Sequence, residues 1–330
     1  MDTKFILIVS NKRDVTTDLV VKRLSQLNIP FRRFNTEEFP QKVNCTLNLT
    51  NSETDILISN NDWEMTYNDI ASIWYRRPKI SDFTNTNLTQ DEFNFALRES
   101  NSFLLNLWAI LRDKTWINNP FDLYIVERKA YQLKVAVAAG FTIPNTIVTN
   151  DYTVLLKFIE NHAGSIVAKP ISHGGFGDNN EFAIYTNDLG STEYSLNEES
   201  VNCSPFIVQE KITDKIDVRV TIFGSKVFAH KILVKNQSLV IDWRVLQPDQ
   251  LSYELIEVPC ALQKSITQFM QLTNLKYGAM DFVIDKNNNW FFIEINPNGQ
   301  FAWLEIANGD KLIDSLIDLL WTNKNELRNL

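Results

Sequence analysis

The stretch GAMDFVIDKNNNWFFIEIN, residues 278–296, constrains this chain more than any other. Two apolar runs flank a turn-forming centre from Lys286 to Asn289, which is the pattern of a β-hairpin. Side chains alternate across a strand, so Glu294 and Asn296 share one face of the second run and Ile293 and Ile295 the other. Pairing Asp285 with Trp290 sets Asp281 directly opposite Glu294. Like charges facing each other across a ladder repel unless a cation lies between them, and an ionised carboxylate on a core strand is costly when nothing compensates it. Asp281, Glu294 and Asn296 are therefore candidate metal ligands projecting from one face. Oxygen donors without His or Cys suit Mg²⁺ or Mn²⁺, which proteins hold with a few side chains plus phosphate oxygens. The competing reading is a solvated sheet face with scattered acids. Against it, Asn296 runs straight into PNGQ, a loop and not a simple strand end.

A hairpin of this kind needs a large core beneath it. With 330 residues the chain exceeds what one ordinary core supports, so two or three domains are expected. Apolar residues make up 44% and charged residues 22%, the balance of a soluble globular protein. A net charge of −8 argues against a non-specific polyanion binder, without excluding a local basic cleft. Cys45, Cys203 and Cys260 have no paired spacing, and the odd number fits a reduced, cytoplasmic protein. The apolar run in MDTKFILIVSNKRD is a strand, too short for a signal peptide or a membrane span.

The opening reads strand, helix, strand: KFILIV, then a helix capped by Thr17 with Leu19, Val20, Arg23, Leu24 and Leu27 at helical spacing, then FRRF after Pro30. Short β segments follow at 43–50, 55–60 and IWYRRP from 73. A long helix is expected over about 90–113, with Phe93, Leu97, Leu104, Leu107 and Leu111 as its core stripe. NNP at 118–120 marks a boundary. One helix should then run through LYIVERKAYQLKVAVAAG to Gly140, with a further helix near 152–162 before the strand SIVAKP. Beyond residue 206 the pattern is mostly β, including SLVIDWRVL, with a helix at about 260–273 and a last one at about 309–321. The expected class is α/β and α+β, divided as 1–119, 120–205 and 206–330.

Two further stretches carry chemistry. In AKPISHGGFG, Lys169 ends a strand and Gly174, Gly175 and Gly177 follow in one loop. Glycines let backbone N–H groups approach phosphate oxygens and a lysine adds a point charge. The loop matches neither of the common glycine-rich phosphate fingerprints, and a surface loop after an edge lysine is the alternative. FIVQEKITDKIDVRVTIFG offers Gln209, Glu210, Asp217 and Arg219, the last two sharing a strand face, where a surface ion pair would contribute little. His173 and His230 lack a partner motif and read as structural. IWYRRP and RRF resemble nucleic-acid contacts only superficially, because the total charge is acidic and no recognised module is present.

Taken in order, Lys129, Lys169, the glycine loop, VQEKI, DVRV, Asp281 and EIN resemble the ATP-grasp ligases, most strongly over about 120–310. The branch is that of glutathione synthetase and the ribosomal-protein-glutamate ligases. IWYRRP, DWR and EINPNGQFAWLE look more like the graspetide synthetases, the microviridin-type maturases of ribosomal peptides. Residues 1–119 resemble the pre-ATP-grasp domain.

The resemblance implies ATP with Mg²⁺, two ions of it, or Mn²⁺ in its place. Lys129 and Lys169 would hold the ATP phosphates, Gly174, Gly175 and Gly177 form the lid, and Gln209, Glu210, Lys211 and Ile212 the linker strand at the adenine. Asp217 would lie near the ribose, and Asp281, Glu294 and Asn296 fall on the metal positions. Arg219 would face the transferred phosphate, Arg244 hold an acidic side chain and Asn298 stand near the acyl group. The implied reaction activates an Asp or Glu side chain of a precursor peptide as an acyl phosphate, which a Thr, Ser or Lys side chain displaces to close an ester or amide ring. The implied partner is a ribosomal peptide with a leader and such a core, with no nucleic acid and no membrane, and a homodimer is allowed. Two alternatives stay open: a ligase adding a free amino acid to a protein or peptide, and a non-catalytic binding module on the same fold.

Overall fold

The computed structural model describes residues 3–83, 86–172, 175–176, 182–189, 197–235 and 241–321. They form two compact units. The first is made from the described parts of Met1–Leu123, Leu275–Tyr277 and Gln300–Leu330. Its centre is a parallel sheet in the order Phe31–Asn35, Phe5–Ser10, Ile70–Tyr75, Thr115–Ile117. Ile6, Leu7, Ile8 and Val9 are all fully buried, as a parallel strand covered on both faces requires. The following helix, Val15–Gln26, is capped by Asp14, whose carboxylate accepts from the Thr17 amide at 2.8 Å. Thr17, the expected cap, lies inside the helix.

The long helix spans Gln90–Ile110 and starts with a Thr89–Glu92 capping box. Only its C-terminal half sinks into the core, where Leu104, Leu107 and Trp108 pack with Phe34 and Trp116. Phe93 and Leu97, expected in the stripe, are half-buried. An antiparallel sheet of Asn44–Leu49, Thr54–Ser59 and Glu64–Thr66 completes this part of the core. Residues 300–321 group with this unit, a placement the linear division at 119 and 205 does not anticipate. The reason is the helix Leu312–Leu320, which buries Leu312, Ile313, Leu316, Ile317 and Leu320, while Arg23 pairs with Asp314 at 2.6 Å. The helix Leu312–Leu320 is the one expected at about 309–321; a further helix, Ala302–Asn308, precedes it and ends at Gly309 in the left-handed region (φ 76°).

The second unit is made from Tyr124–Asn274 and Gly278–Gly299. One sheet has the order Asn187–Asp188, Ile166–Lys169, Phe206–Glu210, Thr146–Thr149, with antiparallel neighbours. The other has the order Leu251–Ile256, Lys226–Val234, Ile216–Phe223, Tyr277–Ile284, Trp290–Asn296. Phe141, Phe269, Phe282 and Phe292 pack as one aromatic cluster, with Phe141 and Phe292 stacked at 5.3 Å.

Three expectations change here. The single helix through 123–140 is two, Pro120–Val126 and Lys129–Ala138, because Arg128 takes an extended conformation between them. SLVIDWRVL is not a strand in its described part: residues 243–245 form a 3₁₀ turn capped by Asp242, and the edge strand is Leu251–Ile256. In the hairpin, Ile284 and not Asp285 faces Trp290, and a bulge at Asp281/Phe282 restores the pairing of Asp281 with Glu294. The bulge makes Ile293 the extra residue of its strand, which leaves it half-buried while Ile295 is buried.

Candidate active site

A cavity of about 1020 Å³ opens within the second unit. Each wall presents groups singled out by sequence. Lys129 is the first residue of its helix, a position it holds because the helix breaks before it. Its amine donates to the Pro170 carbonyl at 3.1 Å and lies 3.6 Å from Glu294. Gln132, one turn on, is buried and clamps the metal-candidate strand: its amide donates to the carbonyls of Val126 and Ile295 and accepts from the Ile295 amide. Glu294 is therefore held by its neighbour's backbone.

The hairpin brings Asp281 and Glu294 face to face, as its pattern demanded. Arg219 Nε lies 2.9 Å from Asp281 Oδ1, yet without the alignment of a hydrogen bond, so that buried oxygen has no donor. Burial pushes the Asp281 carboxyl up to about 6, with Arg219 opposing and the charge of Glu294 adding to the rise. Burial also acts on Glu294, but Lys129, Arg244, Lys169 and Arg219 outweigh it and hold this carboxyl below its ordinary value. One carboxylate thus gathers the cations while its neighbour titrates near neutrality. Asn296 projects beside them, its side-chain oxygen accepting from the Asn298 amide at 3.0 Å. Gly299 lets this turn lie close: a Cβ there would stand 2.5 Å from the Ala279 Cβ and 3.4 Å from Arg219 Nη1.

Arg244 reaches the same place from the 3₁₀ turn. Asp242 grips it through two hydrogen bonds of 2.8 and 2.6 Å, leaving Nη1 directed at Glu294, 3.3 Å away. That grip outweighs burial and raises the Arg244 guanidinium above its ordinary value, so its charge is permanent. Trp243 between them faces Arg219 at 5.9 Å from its ring.

Asp217 and Arg219 share a strand face but do not pair with each other. Asp217 pairs with Lys215 at 2.6 and 2.7 Å, and burial still pushes its carboxyl up. The alternative of a surface ion pair between them does not hold: Asp217 is half-buried beside Lys215, and Arg219 is buried beside Asp281. On the opposite wall Lys169 donates to Gln209 Oε1 at 2.6 Å. Burial, assisted by Lys129, Arg244 and Lys215, brings its amine down to about 8, and Glu294 opposes this. Glu210 turns its carboxylate to Asn145 and Lys211 its amine to Asp188, although both line the cavity with Ile212. Asn298 is not among the residues that line the cavity. Gly175 lies in a two-residue strand pairing Gly175 with Ala183; Gly174, Gly177 and His173 are outside the described residues.

Sequence reasoning missed three supporting residues. Asp242 stands two residues before Arg244, close enough to be read as its partner. Gln132 follows Lys129 at a spacing of three, the same helix face. Lys215 had no signal beyond its proximity to Asp217.

A family model described as the MvdD pre-ATP grasp domain matches residues 5–122. No curated protein matches the chain in sequence. Among solved structures, the macrocyclase MdnC of Microcystis aeruginosa MRC, bound with its precursor peptide MdnA, is 25% identical over 96% of this chain and 99% of its own, with a TM-score of 0.83. A RiPP-associated ATP-grasp ligase of Chryseobacterium gregarium, in complex with ADP and a leader and core peptide, is 26% identical over 96% of each chain, with a TM-score of 0.86. The fold and its N-terminal domain therefore define an ATP-grasp protein. Within that class the chain is similar to the macrocyclases of ribosomal peptides, the graspetide synthetases its motifs resemble.

Proposed function

We propose that this chain is an ATP-dependent ligase that activates Asp or Glu side chains of a ribosomal precursor peptide and closes ester or amide rings with its hydroxyl or amine side chains. The observation that carries the reading is one cavity in which Asp281 and Glu294 converge with Lys129, Lys169 and Arg244, with Arg219 paired behind them to Asp281. Among the described residues no group of three or more His, Cys, Asp or Glu side chains gathers, which disfavours a closed all-protein metal cage. Two carboxylates and the Asn296 amide oxygen, with Asp281 Oδ1 buried and lacking a hydrogen-bond donor, suit a hard divalent ion that takes its remaining ligands from phosphate. Bound there, Mg²⁺, as two ions or with Mn²⁺ in its place, would neutralise phosphate charge as the phosphoryl group moves.

In this reading Lys129 and Lys169 hold the phosphates and the strand through Gln209, Glu210, Lys211 and Ile212 borders the base. Asp217 lies near the ribose. Arg244, fixed by Asp242 and with Nη1 on Glu294, orients the peptide carboxylate, and Arg219 stabilises the charge that develops as it attacks the γ-phosphate. The hydroxyl or amine of the same peptide then displaces phosphate, with Asn298 beside the acyl group. The leader supplies binding energy remote from the reacting groups.

The test is incubation with ATP, Mg²⁺ and a leader-bearing peptide rich in Thr and Glu, followed by mass spectrometry. The expected product has lost one water per turnover, with ADP and phosphate released. A gain of mass from an added amino acid would favour a free-amino-acid ligase, and nucleotide binding without any product a silent binding module.

A further inference from the structure

The wall opposite the carboxylates contains a hydrogen-bond chain that the ligase reading does not use. Lys169 Nζ donates to Gln209 Oε1 at 2.6 Å. Gln209 Nε2 donates to Thr146 Oγ1 at 2.9 Å, and the Thr146 hydroxyl donates to the Pro144 carbonyl at 2.7 Å. Gln209 is 2% exposed, so its amide has little solvent to turn to. The sense of the chain is forced. A carbonyl can only accept, so the single hydroxyl proton of Thr146 goes to Pro144 and its oxygen must accept. Gln209 must then offer its NH₂ to Thr146 and its oxygen to Lys169, whose ammonium can only donate. If the amide turned over, two donors would face each other at Lys169 and two acceptors at Thr146.

We propose that Thr146, acting through Gln209, fixes the Lys169 amine in place, which makes both of them positioning residues for the phosphate contact of the ligase reading on which this inference rests. The side chain of Gln209 is engaged at both ends, so it serves the lysine and not the base. Thr146 itself stands behind the wall: Pro144, Lys169 and Gln209 line the cavity and Thr146 does not. The acceptor matters because burial and the neighbouring Lys129, Arg244 and Lys215 disfavour the charged amine, with only Glu294 among the named charges favouring it. A correctly turned carboxamide oxygen helps to keep Lys169 charged where a phosphate needs it.

The test compares Mg²⁺–ADP and adenosine binding by the full chain and its Thr146→Val, Thr146→Ser and Gln209→Met variants, by calorimetry for ADP and ligand-observed NMR for adenosine. Valine keeps the shape and the strand preference of threonine and removes only the hydroxyl. Thr146→Val should weaken ADP severalfold, up to about tenfold, the range of a neutral hydrogen bond, and Thr146→Ser should restore it. Adenosine, which has no phosphate, should bind the unmodified chain, Thr146→Val and Thr146→Ser alike. In a Lys169→Ala background the Thr146→Val effect on ADP should vanish, as coupled residues require. Unchanged ADP binding in Thr146→Val and Gln209→Met, or equal losses for ADP and adenosine, would overturn the proposal. Failure of the unmodified chain to bind ADP would instead overturn the ligase reading beneath it.

Discussion

Each unit of this protein buries an arginine against a carboxylate, and the two cases differ in what surrounds the pair. In the first unit Arg76 is fully enclosed, 3.3 Å from Asp14 and 2.9 Å from the Gln300 side-chain oxygen, and the other oxygen of Asp14 caps the helix Val15–Gln26. Each group there has a structural duty. In the second unit two carboxylates face each other across a ladder, one of them with a donorless oxygen, and the cations that compensate them border an open cavity. A pair sealed from solvent holds a fold together, whereas converging like charges beside a cavity leave room for a ligand to complete the match. Charge burial by itself therefore does not mark a site; like charges converging on a cavity do.

Four substitutions or conditions can break or sharpen that contrast. The largest effect should come from Arg76→Met, which strands Asp14 in the interior and should lower stability by about 3–5 kcal/mol. Urea unfolding measures it, and a loss below about 1 kcal/mol would erase the distinction between the two regions. Glu294→Gln should leave the chain folded and reduce peptide-dependent ADP release about 10²–10³-fold, the scale of a lost charge partner at a transferring phosphate. Near-normal turnover by a folded mutant would remove Glu294 from the site. Lys169→Ala should weaken ADP about tenfold or more, while Lys264→Ala, on the exposed side of the helix Cys260–Leu272, should leave ADP binding alone and shift stability by no more than about 0.5 kcal/mol. Equal ADP affinities for these two variants would detach Lys169 from the phosphates.

The smallest effect is one of pH. The Asp281 carboxyl is raised to about 6 in the folded chain, so between its unfolded value near 4 and 6 the folded state binds the extra proton. Its contribution to stability accordingly falls as pH rises through that window, by at most about 1.4 kcal/mol per pH unit. Glu294 has the opposite sign: its lowered value contributes stability above about 4.5, which is lost as pH falls through the folded value. Asp281→Asn should flatten the decline between pH 4 and 6 in an unfolding series without added metal. An unchanged profile would show that Asp281 is not the group that titrates.

The legibility of this chain in its sequence follows the range of the interactions involved. The pairing of Asp281 with Glu294 could be read because alternation along two strands joined by a short turn is a local rule, and it survived a one-residue error at the turn because a bulge absorbed it. Lys169 was readable from its strand end for the same reason, whereas Lys129 read only as a lysine inside one longer helix. The break before Lys129 was not, since residues 123–139 carry no proline or glycine to announce it.

What the sequence by itself determined is the set of chemical groups and the strands that carry them: a hairpin forced to present acids on one face, a lysine at a strand end, an order of motifs resembling the ATP-grasp ligases. The tertiary structure decided which groups meet. Arg219 takes its partner, Asp281, from another strand, while its face-mate Asp217 turns to Lys215; Arg244 arrives on a turn that reads as a strand; Thr146 touches Lys169 through a glutamine 63 positions away in the chain. Periodicity fixes the direction of a side chain relative to its own backbone, but a charge is stabilised by whatever lies within a few ångströms of it, and in this protein those neighbours come from separate strands and helices whose distances no local pattern encodes.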